Sequence, residues 1–272
     1  MLRFFRQIRK TLMEQNKVRS YFFYAIGEIA LVMIGILLAL QVNNWNQQRI
    51  EKTSELTYLQ NLKNDLELQI NEFTFTINAE TNVGNTMNNA ASFIEAGRHK
   101  TDMDSLNKIL AYVIANRTVN IFDATFEDLK STGNIRLISN DQIKRQLLEF
   151  YQSVDRADRV LQKNENVKAN VRESMINNSL INFQVNYSDG LSSFLKKSGL
   201  PIENPILDVE LTRKFNATVL ENINSDNGLL KLNNLITNRY FSSLVTNAII
   251  EEVKLSAENL FEAIEKELEG EN

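Results

Sequence analysis

The side chains best suited to catalysis are few in this sequence and stand apart from one another. The chain contains one histidine, His99, and no cysteine. A multi-histidine metal site, a thiolate nucleophile and a cysteine zinc site are therefore excluded within it, and a histidine-based triad would depend wholly on His99. Because its immediate neighbours are Gly97, Arg98 and Lys100, we predict that His99 lies in an exposed turn between helices.

Acidic side chains form two close groups with the composition of an acid–base pair. One group contains Asp102 and Asp104, and the other contains Asp123, Glu127 and Asp128. Both groups fall where helices are predicted to begin, and anions in a first helical turn complement the helix dipole. This structural role is a sufficient explanation for both groups.

Phosphate-binding and calcium-binding patterns are absent or incomplete. The sequence contains no P-loop and no G-x-G-x-x-G turn. Asn222, Asn224 and Asp226 before Gly228 resemble a calcium loop, but the glycine is one place late and no glutamate closes the loop. We therefore expect no catalytic residue, no cofactor and no metal site, and an enzymatic function would require an unusual site made only of acids.

The charges separate into a basic end and an acidic body. The formal net charge is -4, but six cations and one anion precede Tyr21. The acidic remainder argues against nucleic-acid binding, because phosphate neutralisation requires a cationic surface. The basic end instead suits a membrane that carries anionic lipid.

Residues 21–42 form one apolar stretch that predicts a transmembrane helix. Its 22 positions span roughly 33 Å, enough to cross the hydrocarbon core. Aromatic residues mark both ends, and the positive-inside rule places the N-terminus in the cytoplasm. A cleaved signal peptide is the alternative, but the stretch is longer than a typical h-region and no A-x-A-like site follows it.

The basic cytoplasmic segment, residues 1–20, has two interpretations. Leu2, Phe5, Ile8 and Leu12 recur near a helical period, which predicts a short amphipathic helix on the inner leaflet. Alternatively, the basic side chains serve only to orient the anchor. The predicted interface anchors are Arg3, Arg6, Arg9 and Lys10 at this end and Trp45 at the other.

Glu28 is the unexpected residue of the predicted span. An intramembrane carboxylate usually faces protein or water, because exposure to lipid costs a few kcal/mol. At 100° per residue, Gly35 and Ala39 lie within about 20° of Glu28, and small residues allow another helix to approach closely. The predicted packing face comprises Tyr21, Tyr24, Ala25, Glu28, Gly35 and Ala39. Alternatively, the Glu28 side chain extends to the membrane interface, is protonated, or forms a hydrogen bond with Tyr24. A proton or ion pathway is a further alternative, but a single helix with one acid cannot form it alone.

The remaining sequence predicts an all-α architecture in two parts. Residues 43–100 carry an apolar stripe of spacing three and four, which favours a helical stalk, with Glu80 and Gly84 interrupting a strict coiled-coil seam. The members of this stripe are Leu59, Leu62, Leu66, Ile70, Phe73 and Ile77. Residues 101–272 predict an α-helical bundle, because their amphipathic helices must bury apolar faces against one another. Residues 185–207 contain both prolines and form the clearest loop.

The helix boundaries follow from capping signals. Thr101 with Asp104, and Ser139 with Gln142, have the composition of capping residues for two of the bundle helices. Gly133 stands where a left-handed C-cap is favoured. A final helix is predicted from about residue 229 to 268, with Leu244 among its apolar positions.

The membrane segment also carries a family resemblance. The runs FFRQIRKTL and YFFYAIGEIALVMIGILLALQVNNWN, and the later stretch FEDLKSTGNIRLI, resemble a family of uncharacterised single-pass membrane proteins of Bacteroidota, classified as a domain of unknown function. The resemblance implies an inner-membrane location and a periplasmic large domain. It implies no activity and no catalytic residue.

Two functions are compatible with this sequence. The first is a non-enzymatic, membrane-anchored helical scaffold or accessory subunit that associates with itself, as a homo-oligomer, or with another inner-membrane protein. The second is a periplasmic bundle that senses a ligand and signals through a partner membrane protein. The expected partners are membrane lipid and protein, and not nucleic acid.

Overall fold

A computed structural model describes residues 18–115, 118–182 and 209–270, except for the side chains of residues 18–21, 24 and 209. All regular secondary structure in these ranges is helical, which confirms the all-α prediction. The predicted basic segment 1–20 lies almost wholly outside these residues, and so does the predicted loop 185–207.

Six α-helices and two 3₁₀ turns make up the described fold. The helices are α1 Val18–Glu95, α2 Met103–Ile114, α3 Ala124–Ser131, α4 Asp141–Asn177, α5 Val209–Asn224 and α6 Gly228–Gly270. The 3₁₀ turns span Arg98–Lys100 and Asn134–Leu137. The most extensive packing joins α1 to α6, and α4 also packs along α6.

Helix α1 serves both as the predicted membrane span and as a central helix of the bundle. Apart from half-buried Ala25 and Glu28, its described side chains are exposed through residue 50, and burial becomes regular from Glu55 onward. No proline interrupts the 78 residues, so the apolar span and the buried segment form one helix. Residues 59–93 of the predicted stalk therefore lie inside the bundle and share its cores with later helices.

The described part of the bundle contains two separate hydrophobic cores. The first core joins Leu59–Phe73 of α1 to α3, to the first half of α4 and to the second half of α6. The second core joins Val83–Phe93 of α1 to α2, the end of α4, α5 and the start of α6. Since α1 and α6 run antiparallel, the same two helices cross both cores.

Local hydrogen bonds fix the segment between α2 and α3 on the surface of the first core. The buried side chain of Gln69 donates to the Asn120 carbonyl at 3.1 Å and accepts from the Phe122 amide at 2.8 Å. Asp65 accepts from the Thr125 amide at 3.0 Å at the start of α3. The ring of Phe126 then stacks on Tyr151 of α4, with centroids 4.0 Å apart.

Two predicted helix caps are wrong by one position. Asp102 caps α2 and accepts from the Ser105 amide at 3.0 Å, and Asn140 caps α4 and accepts from the Gln142 amide at 2.9 Å. Ser139 lies one residue before this cap, and its hydroxyl and amide both donate to Glu55 instead, each at 2.6 Å. The predicted left-handed conformation of Gly133 is confirmed, with φ 71°.

Candidate functional site

The predicted packing face lies on the exposed part of α1. Ala25 and Glu28 are half-buried, whereas Gly35 and Ala39 are exposed. A Cβ added to Gly35 would meet no atom within 4 Å, so this side of the helix is open to close approach. The side chains of Tyr21 and Tyr24 lie outside the described residues, as do Arg3, Arg6, Arg9 and Lys10.

Helix α1 is long and apolar enough to cross a membrane, and no other helix among the described residues is. Its apolar window is not covered by any other part of the described chain. The side chains of Leu31 and Leu37 are 69% and 60% exposed, and Trp45 at the end of the span is 65% exposed. Apolar exposure over such a length indicates a surface that lipid or another helix covers.

A polar layer separates the two hydrophobic cores of the bundle. On α1, the seam that faces α6 continues from Phe73 through Thr76 and Glu80 to Val83. On α6, the facing seam is polar over three successive turns, at positions that are almost fully buried. These positions are Arg239, Ser243 and Thr246.

A buried ion pair anchors this layer. The Arg239 guanidinium donates to both carboxylate oxygens of Glu80, at 2.8 and 3.0 Å, and its Nε donates to the Tyr112 carbonyl at 3.2 Å. The two charged side chains are only 3% and 4% exposed. This bidentate ion pair compensates two charges that would each be costly to bury alone. Together with the bond to Tyr112, it connects α1, α2 and α6.

Two threonines in the layer have buried hydroxyl groups without a partner. Thr76 is 1% exposed and Thr246 is 5% exposed, and neither Oγ1 has a hydrogen-bond partner. An unpartnered buried hydroxyl costs free energy, so such a group indicates a missing partner. Both threonines line a cavity of about 360 Å³ between α1, α4, α6 and residues 118–119.

The opposite wall of the cavity is charged and comes from α4. Lys168, which is 5% exposed, pairs with Oε1 of Glu165 at 2.7 Å. The other oxygen of Glu165 is buried and has no partner. Asp158 also lines the cavity and accepts from Gln162 at 2.6 Å. The cavity therefore combines hydroxyl groups on one side with carboxylates on the other.

His99 is buried, so the prediction of an exposed turn is wrong. Its side chain belongs to the 3₁₀ turn after Gly97, and the residue is 2% exposed. Gly97 adopts a left-handed φ of 70° just after α1, and the 3₁₀ turn that follows brings His99 against the end of α5. There the His99 Nε2 lies 3.2 Å from Oδ1 of Asn224, so the histidine joins the end of α1 to the end of α5.

The suspected calcium loop has structural roles instead. Asn222 donates to the Ser179 carbonyl at 3.2 Å, and Asn224 donates to the Leu220 carbonyl and contacts His99. No cluster of three metal-ligating side chains occurs among the described residues. The acid Asp102 likewise acts as a cap: hydrogen bonds from the Ser105 hydroxyl and amide lower the pKa of its carboxyl.

Glu55 is a buried carboxylate near the end of the bundle closest to the apolar span. Burial alone would raise its pKa, but hydrogen bonds from the Ser139 hydroxyl and amide, together with Lys52, outweigh burial and lower the pKa. The carboxylate is thus held ionised where α4 begins. Its contacts indicate a structural clamp between α1 and α4.

Helix α6 exposes an apolar face opposite its polar seam. Phe241, Leu244 and Val245 are 59%, 45% and 45% exposed, and Leu230 and Leu255 lie on the same side of the helix. The sequence pattern counts Leu244 among the apolar positions of this helix, but its side chain lies on the exposed face. Over its middle turns α6 thus buries polar side chains and exposes large apolar ones, which is typical of an interaction surface.

These features define a class: an all-α protein with a bundle carried on one long helix whose N-terminal part is apolar enough to span a membrane. Within it, residues 28–152 match the model of a family of unknown function, DUF6090. The match runs from Glu28 into α4 and covers somewhat less than half of the chain. No curated protein and no solved structure matches the chain.

The polar layer was only partly visible in the sequence. Glu80 and Gly84 interrupt the apolar seam in the sequence, and they mark the correct place on α1. Glu80 pairs with Arg239, and a Cβ on Gly84 would lie 3.0 Å from the Ser243 hydroxyl oxygen. The seam of α6 gave no comparable signal. Arg239, Ser243 and Thr246 follow a helical spacing of four and three, but the exposed polar face of an amphipathic helix has the same spacing.

Proposed function

We propose that this protein is a non-enzymatic, membrane-anchored scaffold or accessory subunit that acts by association through one face of its transmembrane helix and through its bundle. The observation that carries the proposal is the exposed apolar part of α1, on which Glu28, Gly35 and Ala39 share one side. Hydrophobicity alone does not bring helices together in lipid, so small and polar residues on one face supply the specificity.

The outer face of α6 supports association through the bundle. Phe241, Leu244 and Val245 lie side by side on a helix whose other side is already packed. In water, an apolar surface of this kind is stabilised by a protein partner. The partner in this proposal is a second copy of the chain or another inner-membrane protein.

The proposed location is a bacterial inner membrane, with the N-terminus in the cytoplasm and the bundle in the periplasm. The basic residues before the span support this orientation through the positive-inside rule. The chain has no native cysteine, so Asp226→Cys introduces a single thiol at an exposed position of the bundle. A membrane-impermeant maleimide should label this variant in spheroplasts, and labelling only after the inner membrane is broken would contradict the orientation.

The association is tested by co-purifying two differently tagged copies and by crosslinking in membranes. Wild type should give crosslinked adducts, which Glu28→Leu and Gly35→Leu should reduce, because both change the proposed face. Leu37→Phe is the matched control, since Leu37 lies about 180° from Glu28 around the helix. A wild type that remains monomeric and captures no membrane protein would refute the proposal.

The cavity in the polar layer favours a second candidate function. A helical bundle that binds a small ligand between α1, α4 and α6 would act as a periplasmic sensor. Its signal would pass along α1, since this helix forms the cavity wall and also the apolar span. Binding at the cavity would have to change the association of the membrane helices for this function to hold.

A further inference from the structure

The cavity of the polar layer has the attributes of a built binding site. Its walls carry two almost fully buried hydroxyl groups, on Thr76 and Thr246, that have no hydrogen-bond partner within the protein. A third buried polar atom without a partner, Oε2 of Glu165, belongs to the same lining. Its volume of about 360 Å³ falls in the range of small-molecule pockets.

The charges around the cavity determine what it attracts. The carboxylate of Glu80 is matched by Arg239, and that of Glu165 is matched by Lys168. Asp158 adds a third carboxylate, which leaves an excess of one negative charge at the lining. A cationic group is therefore favoured over an anionic one.

The unpartnered atoms specify the hydrogen-bonding groups of a ligand. A carboxylate oxygen only accepts, so the group facing Oε2 of Glu165 must be a donor. A threonine hydroxyl both donates and accepts, so Thr76 and Thr246 suit ligand hydroxyl groups. Val119 and Leu161 add apolar wall that fits a carbon skeleton.

We infer that the cavity between α1, α4 and α6 binds a small polyhydroxylated ammonium compound, with the ammonium group at Glu165 and ligand hydroxyl groups at Thr76 and Thr246. This assignment gives the second candidate function its ligand class. It rests on that function and can be tested separately from the membrane face, because every group that would contact the ligand lies in the bundle.

Glucosamine and glucose provide a matched pair of probes, since the two sugars differ by an ammonium group in place of one hydroxyl. At about pH 6 the amine is protonated. Titration calorimetry and thermal unfolding of the full chain in detergent should show that glucosamine binds and raises the unfolding temperature. Glucose should bind at least about tenfold more weakly, because it supplies no charge to the carboxylates.

Two threonine variants separate binding from folding. Thr76→Val and Thr246→Val keep the shape of the side chain and remove a hydroxyl that has no partner in the protein. Each should leave the stability of the ligand-free chain unchanged or higher, and weaken glucosamine binding at least about tenfold. Thr86→Val is the control, because half-buried Thr86 lies on the same helix, outside the cavity lining, and its hydroxyl donates to the Asn82 carbonyl.

A charge variant tests the ammonium group directly. Glu165→Gln retains an oxygen that accepts from Lys168 but removes the carboxylate charge, so it should abolish the preference for glucosamine over glucose. The inference is overturned if neither sugar stabilises the wild type, if glucose binds as tightly as glucosamine, or if both threonine variants bind like wild type. Repeating the titration with Gly35→Leu separates this result from the association, since binding should persist when crosslinking is lost.

Discussion

Removing one partner of the buried ion pair should destabilise the bundle far more than removing both. In Arg239→Met, the carboxylate of Glu80 loses both of its hydrogen bonds and remains 4% exposed between the two cores. Breaking a buried pair in this way costs about 3–5 kcal/mol. In the double variant Glu80→Leu/Arg239→Met, no charge is left without compensation, and the stability should return to within about 1 kcal/mol of wild type or exceed it.

Urea unfolding of the full chain in detergent, followed by the helical circular dichroism signal, measures these differences. The matched control is Lys63→Met, which breaks a second pair between the same two helices. Lys63 and Glu265 lie 2.7 Å apart but are 25% and 42% exposed, so this loss should cost less than about 1 kcal/mol. The comparison therefore isolates the effect of burial.

Two results would refute this reasoning. The first is an Arg239→Met variant that is no less stable than Lys63→Met, which would mean that water reaches the pair. The second is a double variant whose loss of unfolding free energy equals the sum of the losses in Arg239→Met and in Glu80→Leu. This result would mean that Glu80 and Arg239 contribute independently. Either outcome would remove the polar layer as a fixed feature of the fold.

Two further predictions concern a carboxylate and a glycine. Glu55 has a lowered pKa in the folded chain, so its contribution to the free energy of unfolding is present above its unfolded pKa and is lost as the pH falls through the folded pKa. Glu55→Gln should therefore lower the urea midpoint at about pH 7 and leave the midpoint closer to that of wild type below about pH 4. A midpoint difference independent of pH would contradict this. Gly228→Ala places a Cβ directly against the Asn222 carbonyl oxygen, and this clash should lower the stability measured by thermal unfolding by about 2–3 kcal/mol. Gly270→Ala is the control and should be neutral, because a Cβ there meets no atom within 4 Å. Equal stability of the two variants would show that the turn before α6 adapts.

The sequence was most informative where hydrophobic periodicity was long and uninterrupted. Leu59, Leu62, Leu66 and Phe73 were predicted as one apolar stripe, and all four are buried. Ile77, the next apolar position of the stripe, packs partly buried against the first core, whereas the fully buried seam position is the adjacent Thr76. Periodicity alone does not distinguish neighbouring positions where a polar residue occupies the seam.

The middle of α6 shows why the candidate cavity escaped sequence reasoning. The sequence pattern counts Leu244 among the apolar positions of this helix, but the buried seam position is the adjacent Ser243. Burial of Arg239 depends on Glu80, which lies on another helix and 159 residues away in the chain. Such a long-range pair cannot be deduced from either helix alone, and the same holds for the contact between His99 and Asn224, which lie 125 residues apart in the chain.

The membrane face remains a prediction from spacing, and cysteine scanning tests it most directly. Because the chain has no native cysteine, single thiols at successive positions from 30 to 40 report on each side of α1 in turn. Oxidative or bifunctional crosslinking in native membranes should peak at Gly35 and Ala39 and be lowest at Leu37, with a helical period. Uniform crosslinking, no crosslinking at any position, or a maximum at Leu37 would contradict association through the face that contains Glu28.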